Sequence, residues 1–183
     1  MIGNDVVDLQ LAKTQSNWQR KGFLEKQFTK NEQEFIAQSE NAFLQVWTFW
    51  SMKEAAYKCY TQKHPNRFFA PKKFECKMIS SSEGNVSIHQ EKYNVKIEIS
   101  DSYVYSVAFD KNERKVKSEL FLISKNYQSK EVNNHLLHYF PDKTLLKKDA
   151  FGVPFLVHQQ KKLPFYISTS HHGNFGAYAI LEH

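Results

Sequence analysis

At 183 residues the chain fits one domain or two small packed halves, and its 41% hydrophobic and 15% aromatic content, with 15 Phe, excludes disorder as the main state. Two cysteines, Cys59 and Cys76, in neither metal nor redox spacing exclude a disulfide scaffold. No apolar run approaches the ~18 residues of a membrane span, and the opening MIGNDVVDL lacks a signal peptide's basic start, so a soluble cytoplasmic protein is expected, its net charge of +6 favouring an anionic partner.

In chain order, Gly3 to Leu9 reads as a short strand rich in β-formers. Phe23, Phe28, Phe35 and Ile36 recur at near-helical spacing, with a break at Thr29, which stands three residues before Glu32 as in a capping box. From Ala42 to Thr61 there is neither Gly nor Pro, and Val46, Phe49, Trp50 and Tyr57 make an apolar stripe, which predicts a long helix. A connector from His64 to Pro71 follows. Strands are then predicted at Phe74 to Ile79, Val86 to His89, Tyr93 to Ile99 and Tyr103 to Phe109, with turns at 80–85 and 100–102. After a charged linker at 111–117, the pattern predicts a strand from Val116 to Ser124 and a helix from Ser129 to Tyr139 capped by Ser129. Extended segments at Pro154 to Val157, Pro164 to Thr169 and Phe175 to Leu181 close the chain. The strands at 105–109 and 176–180 share a small–large alternation that permits, without requiring, a duplicated fold.

Four segments carry groups with chemical potential. On the long helix, Trp50, Glu54 and Lys58 share one face at i, i+4, i+8, which is either a surface charge pair or a site. Asp5 and Asp8 mark an otherwise apolar strand. They are either turn and solvent residues or ligands for a hard cation such as Mg²⁺, which takes one or two carboxylates plus substrate oxygens. Ser170-His171-His172-Gly173 makes a polar loop or a phosphate cradle; zinc spacing and a nucleophile elbow are both lacking. Lys147 and Lys148 precede a Gly152-Val153-Pro154 turn.

Together, Gly3-Asn4-Asp5, Trp50 to Lys58 with its Lys53-Glu54-Ala55 core, the Gly-x-Pro turn and Ser170 to Gly173 resemble the 4′-phosphopantetheinyl transferase superfamily over nearly the whole chain. Val153 stands where members often carry Lys, Val7 where the larger members place a second acid, and Leu11 where the small holo-synthase type tends to have Arg. The segment order is that of the small holo-acyl-carrier-protein synthases, reversed relative to the larger two-lobed members.

The resemblance implies an α+β fold of two similar lobes, 1–110 and 111–183, each a small mainly antiparallel sheet packed with helices, forming a pseudo-dimer within a monomer. It implies a Mg²⁺-dependent transferase. The 4′-phosphopantetheine group of coenzyme A would pass to a serine of an apo-acyl- or peptidyl-carrier protein of lipid or secondary-metabolite biosynthesis. In that assignment Asp5 and Glu54 hold the metal with Asp8 as a third acid, and Glu54 accepts the serine proton directly or through water. Lys58 sits on the diphosphate, while Ser170, His171, Lys53, Lys147 and Lys148 contact the coenzyme phosphates. Two rivals are a non-catalytic coenzyme- or carrier-binding module of the same fold and a basic nucleic-acid-binding domain. For the second, no RNA-binding signature or zinc finger is present and the lysines are scattered, so neither nucleic acid nor membrane is an expected partner.

Overall fold

A computed structural model describes residues 1–64, 68, 70–110 and 116–182. Strand β1 (Ile2–Asp8) runs into a short helix, α1 (Leu9–Gln15). The expected strand continued to Leu9; instead the Asp8 carboxylate accepts the N–H groups of Gln10 and Leu11 and starts a helix the apolar pattern did not signal. The next two helices, α2 (Phe23–Gln27) and α3 (Lys30–Gln38), break where expected. Thr29 accepts the Glu32 N–H, and the Glu32 carboxylate accepts the Thr29 N–H. Helix α4 (Ala42–Thr61) matches its predicted span, with Asn41 capping it through Leu44 N–H.

Strands β2 (Glu75–Met78), β3 (Glu83–Ile88), β4 (Glu91–Ile99) and β5 (Tyr103–Phe109) follow. β3 begins three residues earlier than the turn-rich composition suggested, because Glu83, Gly84 and Asn85 pair with Lys96, Val95 and Asn94 of β4; Gly84 also lies against Met52 of α4, where a Cβ would meet the methionine methyl at 2.5 Å. These strands and β1 form one antiparallel sheet in the order β1-β5-β4-β3-β2, with α4 across one face. The predicted linker at 111–115 and part of the connector, 65–67 and 69, lie outside the described residues.

The second half contains β6 (Val116–Leu122), α5 (Gln128–Leu137), β7 (Leu145–Lys148), β8 (Pro154–His158), β9 (Lys161–Lys162), β10 (Phe165–His172) and β11 (Phe175–Glu182). Strands β7 and β9 were not predicted: β7 is two leucines and two lysines, a composition whose partner, β8, decides its state. Helix α5 lacks the expected Ser129 cap. Tyr127 is its N-cap residue without a side-chain bond, and Ser129 Oγ pairs with His171 instead. The Ser170-to-Gly173 segment is strand rather than loop up to His172, and the reversal falls at Gly173-Asn174.

The same topology occurs twice. In the first half the opening strand β1 pairs antiparallel with the last, β5, which pairs with the penultimate, β4; in the second, β6 pairs with β11, which pairs with β10. The chain is thus α+β with antiparallel sheets. Strand alternation then sorts the cores. Val7, Val104 and Ala108 face α4, whereas Ile2, Val6, Tyr105 and Val107 face Ala177, Ala179 and Leu181 of β11. A third core joins α5 to Leu156, Ile167 and Tyr178. β1 and β5 are therefore buried on both faces, and β1 lies in the seam between the halves. No helix among the described residues is long and apolar enough to cross a membrane.

Candidate active site

Alternation along β1 also aims its polar groups. Gly3, Asp5 and Val7 share the face toward α4, and Gly3 is where the strand comes closest to the helix. A Cβ there would fall 1.9 Å from the Ala55 carbonyl oxygen and 2.6 Å from Cys59 N, so a residue with a side chain would push β1 away. One residue pair farther on, this close approach brings the Asp5 carboxylate onto the Trp50-Glu54-Lys58 face of α4. Lys58 Nζ lies 3.0 Å from Asp5 Oδ1 and 2.9 Å from the Asn4 carbonyl oxygen, and Ser51 Oγ donates to the Asp5 carbonyl at 3.1 Å.

The electrostatics are those of an incompletely neutralised acid pair. Burial pushes the Glu54 carboxyl up to about 7, the nearby Asp5 charge adds to the rise, and Lys58 opposes it. Burial also raises Asp5, against the pull of Lys58 and the two histidines. His171 and His172 are both lowered, chiefly by burial, so both rings favour the neutral form at neutral pH. Adjacent on β10, they diverge: His171 Nε2 pairs with Ser129 Oγ at 3.0 Å, and His172 Nδ1 accepts the Asp8 backbone N–H at 2.9 Å.

Asp5, Glu54, Trp47, Trp50, His171 and His172 line a cleft of about 390 Å³. On the far side of Lys58, a hollow of about 200 Å³ is lined by Lys148, Gly152, Val153, Ser168 and Thr169. Residues from both halves thus meet around Lys58. A larger cavity, about 490 Å³, lies between β4, β5 and β6, away from these groups. Its Glu98 is already engaged by the Tyr103 hydroxyl, and it brings no buried acid and ammonium together.

Several expected site residues sit elsewhere. Lys53 is wholly buried: its ammonium lies 2.8 Å from the Glu32 carboxylate, donates to the carbonyls of Pro71 and Phe74, and stands over the Phe28 ring. One residue before Glu54, it points about 100° around the helix from the cleft, so the expected coenzyme contact is corrected to a structural strut.

Asp8 is likewise spent. Besides capping α1 it accepts Asn174 N–H at 3.0 Å, and Gly173, at φ 59°, leaves room for it where a Cβ would stand 2.1 Å from its oxygen. No cluster of three metal-ligating side chains occurs among the described residues. Ser170, 6% exposed, takes the Asn4 side-chain N–H at 3.0 Å and does not line the cleft. Lys148 reaches the hollow; Lys147, on the opposite face of β7 and paired with Phe155, does not.

Other residues at the site escaped the sequence reading. Asn4 and Ser168 bond across the seam, Gln62 accepts Ile2 N–H and donates to the Ile167 carbonyl, and Trp47 walls the cleft. An Asn inside an apolar strand was the one visible signal.

Among solved structures, the chain is similar to the crystal structure of Thermotoga maritima holo-[acyl-carrier-protein] synthase, with a TM-score of 0.47 and 10% identity over 88% of this chain and 83% of that one. No curated protein sequence matches. The sequence model of the 4′-phosphopantetheinyl transferase superfamily matches residues 1–110, from β1 through β5. That span covers more than half of the 183 residues and carries the Gly3–Asp5 strand and the Glu54–Lys58 helix face, so the chain belongs to the 4′-phosphopantetheinyl transferase superfamily.

Proposed function

We propose that this protein transfers the 4′-phosphopantetheine arm of coenzyme A to a serine hydroxyl of an apo-acyl- or peptidyl-carrier protein. The observation that carries the reading is the convergence of Asp5, Glu54 and Lys58 at a cleft walled by both halves. In the reaction the serine oxygen bonds to one phosphorus of the diphosphate. The bond from that phosphorus to the bridging oxygen breaks, and adenosine 3′,5′-bisphosphate leaves. Catalysis of such a step is mostly positioning and charge stabilisation.

The donor set fits a divalent cation such as Mg²⁺. Glu54 has no hydrogen-bond partner among the described residues, and its carboxyl is raised by burial and by Asp5, a strain that a cation between them would relieve. Two carboxylates leave room for substrate oxygens, the usual Mg²⁺ arrangement. Such an ion would supply charge neutralisation to the diphosphate. Lys58 offers a point charge to a diphosphate oxygen, and neutral His171 offers a ring N–H. Glu54 accepts the serine proton, directly or through water. Lys148 and Thr169, in the hollow beyond Lys58, flank the nucleotide phosphates.

In this reading residues 1–110 and 111–183 are two lobes of one pseudo-dimer, a single chain carries a complete site, and the protein works as a cytoplasmic monomer, its Cys59 and Cys76 thiols free and buried. The test is the mass of apo-carriers incubated with coenzyme A, Mg²⁺ and this protein. Addition of one phosphopantetheine is expected. Carriers that stay unmodified here while a known transferase modifies them would remove the reading.

A further inference from the structure

Asn4 is fully buried in the seam, on the face of β1 that it shares with the apolar Ile2 and Val6. Its side-chain oxygen has no hydrogen-bond partner among the described residues, so an apolar residue there would avoid a desolvation cost that Asn4 bears. Every other polar group of Asn4 is used, two of them toward β10 and one toward Lys58. The backbone N–H donates to Ser168 Oγ at 2.9 Å, the side-chain amide donates to Ser170 Oγ at 3.0 Å, and the carbonyl accepts Lys58 Nζ at 2.9 Å.

The seam has an unusual construction. Among the described residues β1 pairs through its backbone only with β5, and its other edge meets β10 through side chains: Ser168 takes the N–H of Asn4, and His172 takes that of Asp8. These two bonds bracket Asp5. The place of its carboxylate, and of the carbonyl one residue before it, is therefore set from the second half of the chain, and Lys58 is bonded to both.

We propose that Asn4 is a positioning residue: clamped by Ser168 and Ser170, it holds its own carbonyl and Asp5 where together they fix the Lys58 ammonium. The kinetic part of this inference rests on the transferase reading given above. Neither Asn4 nor Ser170 needs to touch substrate, and both act through Lys58.

The test compares the wild type with Asn4→Ala, Ser170→Ala and the double variant, the serine change being mild because it removes one oxygen. Each single change is expected to lower kcat about tenfold and leave the KM for coenzyme A within about twofold. The double variant should be no slower than the slower single one, because both break one clamp. The Lys58 side-chain ammonium resonance, sharp in the wild type, should broaden in Ser170→Ala while the thermal midpoint stays within a few degrees. Losses of kcat that multiply in the double variant, or an unchanged kcat in both single variants, would overturn the proposal. A wild type that modifies no carrier is instead a failure of the functional reading. The clamp is then judged on the Lys58 resonance alone: broadening in Ser170→Ala sustains it and an unchanged signal overturns it.

Discussion

Replacing Lys53 by Met separates the two roles that a lysine in the Lys53-Glu54-Ala55 segment could have. Methionine keeps the apolar stem and removes only the ammonium, which lies 2.8 Å from Glu32 with side-chain exposures of 0% and 1%. Breaking a buried pair from one side leaves the other charge uncompensated and costs about 3–5 kcal/mol. Here Glu32 also accepts the backbone N–H groups of Thr29 and Cys76, so it cannot swing out to water without orphaning two donors. The loss should therefore sit within that range, a fall of roughly 6–20 °C in Tm at about 2–4 °C per kcal/mol for a chain of this size.

Adding Glu32→Gln tests the cause. The amide removes the stranded charge and its oxygen still accepts one of the two N–H groups, so the double variant should lie within about 2 kcal/mol of the wild type. Equilibrium urea unfolding of the four proteins gives the stabilities, and coenzyme A titration of the folded variants gives binding. Lys53→Met within about 1 kcal/mol of the wild type would refute the strut. So would a tenfold loss of coenzyme A affinity at unchanged stability, which would return Lys53 to the ligand.

Glu54→Gln should abolish most turnover yet stabilise the fold at high pH. The folded-state carboxyl, at about 7, lies above its ordinary 4.5, so its ionisation costs nothing below about 4.5, and the cost grows until pH passes 7. Without divalent cations the variant should therefore gain on the wild type across that window, by about 3 kcal/mol at most above it, read from unfolding curves at pH 5 and pH 8. A constant difference between the two pH values would contradict the buried acid pair. Gly3→Ala should lose about 3 kcal/mol, the upper end of overpacking costs, because its new methyl meets helix backbone that cannot rotate away; wild-type urea stability would show that β1 and α4 are not in the contact described.

Much of this protein was legible one segment at a time, where the governing physics is local. The Ala42–Thr61 helix followed from an uninterrupted apolar stripe, the break at Thr29 from a capping box closed within four residues, and β5 from alternation whose bounds the structure keeps unchanged. The shared face of Glu54 and Lys58 needed only the helical repeat. Asp5 was visible as a charge in an apolar strand, though not the reason it meets Lys58, which is the missing Cβ of Gly3.

What the sequence could not decide were the partners of groups whose type allows several. Lys53 and Lys58 are chemically the same, five residues apart on one helix; one turns into the Glu32 pocket and the other into the cleft, because the elements packed on those two faces differ. Asp5 and Asp8 are likewise both acids on one strand, and only the tertiary placement of α1 and the Gly173 turn uses up Asp8 while leaving Asp5 to Lys58. Asn4 and Ser170 are 166 residues apart, so no local periodicity registers their bond. It exists only once the two halves close on β1, and the same closure makes one cleft out of groups from both ends of the chain.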